Sequence, residues 1–282
     1  MSEPLDQLLA DLSAIDRFLE VEAFIGKLSS KHIPEGFEAL KSGGMDDREF
    51  AELIGQGHGI AKSARTELPV VTGTLVLYLA GRFESFVREK IETAAREIGN
   101  KCGQFDRLPE KMRSSLLNQT VEVIKNPRKY GHAENGVRSF VRRLAAGYTS
   151  ITENEPVNFE CISITDANMR PDIFKDICDR IGFSDAWGHL STQSGMKLFF
   201  CNMDASAVSK EAQAKLKKMM DDRNSIAHPA STTTFPNSAT VSDYVAFVKM
   251  LCSEFESVLD TYVVVVQPLE VGKANVHVTV AS

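Results

Sequence analysis

Apolar positions recur at helical spacing through most of the chain. Between residues 4 and 29 they fall at Leu5, Leu8, Leu9, Leu12, Ile15, Phe18, Leu19, Phe24 and Leu28, which predicts a long amphipathic helix. Pro34 and the Gly43-Gly44 pair interrupt the pattern, and a shorter helix is expected from Asp46 to Ile54. Gly55-Gln56-Gly57-His58-Gly59 follows. A phosphate-cradling loop needs a strand before its glycines, and a helix precedes these, so the segment reads as a helix-terminating linker. Residues 70 to 98 form the strongest helix, with a stripe of Leu75, Leu79, Phe83, Phe86, Val87, Ile91 and Ile98. A second face runs Gly73, Leu77, Ala80, Gly81 and then Glu84. Apolar or small residues nearly all round predict a central, buried helix. Glu84 there either pairs with Arg88 four residues on or is placed for function.

Pro109, Pro127 and Gly136 divide the next stretch into two helices joined by a loop over residues 125–135. Residues 155 to 168 look irregular. Asp172 to Ile181 reads as a short helix, with Pro171 at its start and Gly182 after its end. Trp187 and His189 fall in the loop beyond, where a lone pair of this kind is read as surface packing. A helix over 206–228, capped by Ser206 or Ser209, carries the stripe Ala212, Leu216, Met220 and Ala227. Another spans Val241 to Tyr262. The β-branched run Val263-Val264-Val265-Val266 and the alternating Val276-His277-Val278-Thr279-Val280, with Gly272 between them, predict a strand–turn–strand tail. The expectation is an all-α protein with an N-terminal helical extension (1–60), a helical domain (61–262) and a short C-terminal β-hairpin tail (263–282).

Apolar residues make up 43% of the 282 positions and charged residues 25%, which excludes disordered and collagen-like chains. No uninterrupted apolar run approaches a membrane span of about 20 residues, and Met1-Ser2-Glu3-Pro4 has no signal-peptide character, so a cytoplasmic protein without membrane attachment is expected. The five cysteines, Cys102, Cys161, Cys178, Cys201 and Cys252, are scattered and odd in number, and no Cys/His pair has zinc-ligand spacing. Buried free thiols in a reducing compartment, and no metal or cofactor, are expected. The net charge of -6 argues against a general nucleic-acid coat. Yet residues 111–150 hold Lys111, Arg113, Lys125, Arg128, Lys129, Arg138, Arg142 and Arg143 against only Glu122 and Glu134. That segment is either a solvated face or a surface that tracks phosphates, with Arg128, Lys129, Arg142 and Arg143 as the candidate RNA contacts.

The candidate chemistry sits at Arg223-Asn224-Ser225-Ile226-Ala227-His228-Pro229. Arg223 lies seven residues after Leu216 and three after Met220, on the apolar stripe. A guanidinium there needs a carboxylate, a phosphate or a wet interface; Glu84 and Asp222 are the carboxylates at hand. On a continuous helix His228 would point about 140° away from Arg223. Pro229 pushes the residue before it out of the α region, so His228 is expected at or past the helix end, re-aimed and exposed. Asn224 adds an amide that can hold a neighbour or a phosphate oxygen. Such a set suits metal-free RNA cleavage. An imidazole titrates near neutrality, a guanidinium stabilises charge on phosphate, and RNA supplies its own 2′-hydroxyl nucleophile. The alternative is that Arg223 is ion-paired and His228 merely caps the helix.

Arg223-Asn224-Ser225-Ile226-Ala227-His228 resembles the R-x4-6-H motif of the HEPN superfamily. Leu77–Val87, with a Glu between aromatics, Ile173–Gly182, and Thr240–Val245 resemble, in order, helices of the stand-alone RiboL-PSP and MAE-type members. The likeness covers roughly residues 65 to 262, and the first ~60 residues and the tail look unlike it. The resemblance implies a HEPN-like helical bundle that pairs as a homodimer, with Arg and His of both protomers meeting in one metal-independent endoribonuclease site. Carried over, Arg223 and His228 are the catalytic pair, Asn224 supports them, and Glu84 matches the family's helix Glu. It further implies RNA as substrate, and a toxin or anti-phage defence role with a cognate antitoxin or defence-system partner. Two other classes remain: a catalytically inactive HEPN-like RNA-binding or protein-interaction module, and a helical module whose β tail adds to a partner's sheet.

Overall fold

The computed structural model describes residues 2–30, 46–131, 136–147, 151, 157–230 and 233–269. Its helices are α1 (Glu3–Ser29), α2 (Asp47–Ala64), α3 (Leu68–Cys102), α4 (Glu110–Lys125), α5 (Val137–Gly147), α6 (Pro171–Arg180), α7 (Ala186–Ser191), α8 (Ser194–Phe199), α9 (Ala205–Ala227) and α10 (Ser238–Val265). Among the described residues there is no strand, and the protein is all-α.

The chain divides into two compact units. The first comprises the described residues of Met1–Glu84 and Ala214–Leu251. It takes α1, α2, the first half of α3, the C-terminal part of α9 and the first half of α10. Leu5, Leu8, Leu12 and Ile15 of α1 are buried at i, i+3, i+7 and i+10. Burial of each contributes about 1.5–3 kcal/mol. Val76, Leu79 and Phe83 of α3, Leu216, Met219 and Met220 of α9, and Val241, Val245 and Val248 of α10 are buried in the same unit. Arg82 and Asp11 pair at 2.7 Å, Tyr78 donates to Asp11 at 3.0 Å, and Lys249 pairs with Asp16 at 2.6 Å. These tie α1 to α3 and α10.

The second unit comprises the described residues of Ser85–Gln213 and Cys252–Ser282. Its core gathers Val87, Ile91 and Ile98 of α3 with Met112, Leu116, Phe159, Phe174, Trp187 and Phe255. Phe174 meets Trp187 and Phe255 with ring centroids 4.9 and 5.0 Å apart. Lys90, only 6% exposed, is held by Glu256 at 3.2 Å and Asp260 at 3.1 Å, which supplies the anions that a buried ammonium requires. By length and composition alone α3 could cross a membrane; its stripe from Val76 to Ile98 is instead spent on the two cores.

Several local expectations give way. The run Val263-Val264-Val265 is not a strand but the last turn of α10. Phe255, Leu259 and Val263 continue one buried stripe at four-residue steps, and Lys101 Nζ donates to the carbonyls of Val263 (2.7 Å) and Val264 (2.8 Å), capping the helix end. The first strand of the expected β-hairpin tail is thus helical, and Val276–Val280 lie outside the described residues. Gly55–Gly59 lie inside α2, where Gly57 brings the helix against Leu28, so that segment is no linker. Asp46 caps α2 through the amides of Arg48 and Glu49. Asp204, not Ser206 or Ser209, caps α9, accepting from Ser206 and Ala207 N–H at 3.0 Å. Trp187 and His189 belong to the short helix α7, not a loop, and His189 stacks on Phe183 at 5.3 Å.

Candidate active site

Helix α9 delivers the Arg–Asn–His set. Ala212, Leu216, Met219 and Met220 are fully buried, which fixes the rotation of the helix. Arg223, in phase with that stripe, emerges half-buried at the last turn. Its Nη1 donates to Oδ1 of Asn224 at 3.2 Å. Among the described residues no carboxylate comes within ion-pair distance of Arg223. Asp222, one of the two expected partners, is committed elsewhere: Tyr244 donates to it at 2.7 Å and Lys218 at 2.6 Å. Burial, and then this bond to Asp222, push the Tyr244 hydroxyl well above its ordinary pKa, so it stays a donor. Glu84 is half-buried on α3 with interactions of its own. The guanidinium is thus held by an amide rather than neutralised by an acid, the arrangement that leaves it able to take a phosphate oxygen.

α9 ends at Ala227, and Pro229 enforces the stop. His228 still donates its backbone N–H to the Asn224 carbonyl at 3.1 Å, so it is the half-in residue of the last turn, with its imidazole exposed as expected. Beyond it Thr233 is bonded back to Ala230: its Oγ1 accepts from Ala230 N–H at 2.8 Å, and its own N–H donates to the Ala230 carbonyl at 3.0 Å. The returning chain packs Phe235 into a notch on α3. A Cβ on Gly73 would sit 2.4 Å from Cδ1 of Phe235 and 3.4 Å from Cγ2 of Ile226. The sequence places Gly73 on the small-residue face of this helix, but Phe235 carries no spacing signal that would mark it as the occupant.

The basic candidates belong to the other unit, around α4 and α5. Lys129 pairs with Asp166 at 2.6 Å, which holds that carboxyl below its ordinary value. Arg143 pairs with Glu160 and lies over the Phe140 ring at 5.1 Å. Arg128 and Arg142 are exposed. The excess positive charge of residues 111–150 is thus partly met by acids from the next segment, a neutralisation that counting charges within a window does not show. Among the described residues no three His, Cys, Asp or Glu side chains gather as a metal-ligand set.

An all-α protein with Arg, Asn and an exposed His at the end of a buried helix defines a protein of HEPN type. The chain matches the family model described as RiboL-PSP-HEPN over residues 46–261, and it belongs to that family. No curated protein and no solved structure matches it significantly. Family membership gives an RNA-related, ribonuclease-like class of function.

Proposed function

We propose that the protein is a metal-independent endoribonuclease whose catalytic pair is Arg223 and His228. The observation that carries this reading is the half-buried Arg223 guanidinium, bonded to Asn224 and with no carboxylate partner among the described residues, about one turn before an exposed imidazole in a chain of this family. In the reaction the neutral His228 imidazole takes the proton of the RNA 2′-hydroxyl. The freed oxygen attacks the adjacent phosphorus, Arg223 stabilises the charge that develops on the non-bridging oxygens, and the P–O5′ bond breaks. A protonated imidazole, the partner's His228 in a homodimer, returns a proton to the leaving 5′-oxygen. The products are a 2′,3′-cyclic phosphate and a 5′-hydroxyl. Asn224 keeps the guanidinium aimed.

Pairing of two protomers across the α9 ends supplies one acid and one base, the division of labour a single imidazole cannot perform in one step. The biological role that suits such an activity is a toxin or anti-phage effector restrained by an antitoxin or defence-system partner in the cytoplasm. The test is cleavage of single-stranded RNA in excess EDTA, with dimer mass measured in parallel. His228→Ala should lower the rate by about 10²–10⁴ while changing stability by no more than about 0.5 kcal/mol, as for an exposed position. Wild-type cleavage by that variant, or activity that returns only with added magnesium, would refute the mechanism.

A further inference from the structure

The unit that holds the Arg–His pair also contains a cavity of about 360 Å³. Its walls come from the end of α1, the start of α3 and the segment leading into α10, and Glu22, Arg65, Pro69, Phe235 and Asn237 line it. Phe235 places this wall next to the motif. It shares the Gly73 notch with Ile226, and Ile226 is two residues before His228.

The lining has the chemistry of a base site. Phe235, Pro69 and Pro236 give flat apolar surface. Glu22 is half-buried; its Oε2 accepts from Ser238 Oγ at 2.5 Å, and among the described residues its Oε1 has no hydrogen-bond partner. Asn237 Oδ1 is filled by the Thr240 N–H (2.9 Å) and Oγ1 (3.0 Å), which leaves the amide nitrogen as the donor this side chain can offer a ligand. Arg65 is exposed and cationic. A ligand complementary to this set has a planar ring, an amino group for the carboxylate, a ring acceptor for the amide, and a phosphate nearby. Single-stranded RNA is read in just this way, by stacking and by the edges of unstacked bases.

We propose that this cavity is a base-recognition subsite flanking the cleaved phosphodiester, and that it takes a base bearing an exocyclic amino group. The amine donates to Glu22 Oε1, the ring lies against Phe235, Asn237 donates to a ring nitrogen, and Arg65 meets an adjoining phosphate. The proposal rests on the ribonuclease reading, and its test separates the two.

Binding of fluorescent single strands is measured by anisotropy on the full chain with His228→Ala, in which cleavage is expected to be about 10²–10⁴-fold slower. Two strands of equal length are compared: oligoadenylate, and the same strand built from purine riboside, which lacks only the amino group. Loss of a hydrogen bond to a charged acceptor predicts about tenfold weaker binding of the second strand. Glu22→Met in the same background should bring that ratio close to one. Equal binding of the two strands overturns the proposal; because this comparison leaves the cavity unaltered, it decides the matter even if Glu22→Met fails to fold. If the wild-type chain cleaves RNA and the strands bind equally, the subsite alone falls. If the chain neither cleaves nor binds RNA, the ribonuclease reading falls and the subsite with it.

Discussion

Two glycines on α3 should respond to the same substitution with opposite signs. In a helix interior alanine is better than glycine by about 0.8–1.0 kcal/mol. At Gly81, which is exposed, a new Cβ meets nothing within 4 Å, so Gly81→Ala should stabilise the protein by roughly that amount. At Gly73 the new methyl carbon would lie 2.4 Å from Cδ1 and 2.9 Å from Cε1 of Phe235, with Cγ2 of Ile226 at 3.4 Å behind it. The ring must retreat by about 1 Å to restore ordinary contact, and overpacking of this kind costs about 1–3 kcal/mol. The net effect of Gly73→Ala is therefore between neutral and about 2 kcal/mol destabilising. At about 2–4 °C per kcal/mol for domains of this size, thermal unfolding resolves the difference between the two variants. A rise in melting temperature for Gly73→Ala equal to that for Gly81→Ala would show that Phe235 does not occupy the notch, and would remove the packing link between Phe235 and the motif helix.

Burial pushes the Cys161 thiol up to about 12 and raises Cys178 and Cys252 as well, whereas Cys201 is exposed. A disulfide reagent at neutral pH should therefore label a single thiol in the native chain and all five after denaturation; native labelling of a second would refute the packing around Cys161. The same groups give an alkaline dependence. Cys161 rises from 9.0 to about 12 and Tyr262 from 10.0 to about 12, both through burial, so the unfolded chain releases these protons first. Stability should fall as pH climbs from about 9 toward 12, and a flat profile there would contradict it. On the basic face, Arg142→Glu should weaken RNA binding and reduce the slope of log K against log salt by about one, at little cost in stability. An unchanged slope would assign that position to solvent.

Helix positions were legible wherever one apolar stripe ran long enough to outvote local propensity. The stripes of α1, α3 and α9 are of this kind, since each follows a 3.6-residue repeat over several turns. The misreadings share a cause. Val263-Val264-Val265 has the composition of a strand, but Val263 is in phase with Phe255 and Leu259, and Lys101 caps the end from another helix. Gly57 looks like a breaker, yet it admits Leu28 of α1 at close range. In both places the deciding atom comes from a distant segment, and a window of neighbouring residues does not contain it.

The candidate site divides along the same line. That His228 leaves the helix follows from Pro229, one residue away, and the backbone bond to Asn224 marks the last turn. That Arg223 falls on the apolar stripe follows from Leu216 and Met220. What meets its charge does not follow from spacing. Asp222, the adjacent acid, is drawn off by Tyr244 and Lys218, and Tyr244 lies 22 residues on, in α10. The consequence is chemical. A half-buried guanidinium steadied by an amide, with the neighbouring carboxylate held back by a tyrosine, keeps its full charge at a helix end beside an exposed imidazole. Tyr244 and Lys218 together engage Asp222, and among the described residues the partner of the guanidinium is the Asn224 amide.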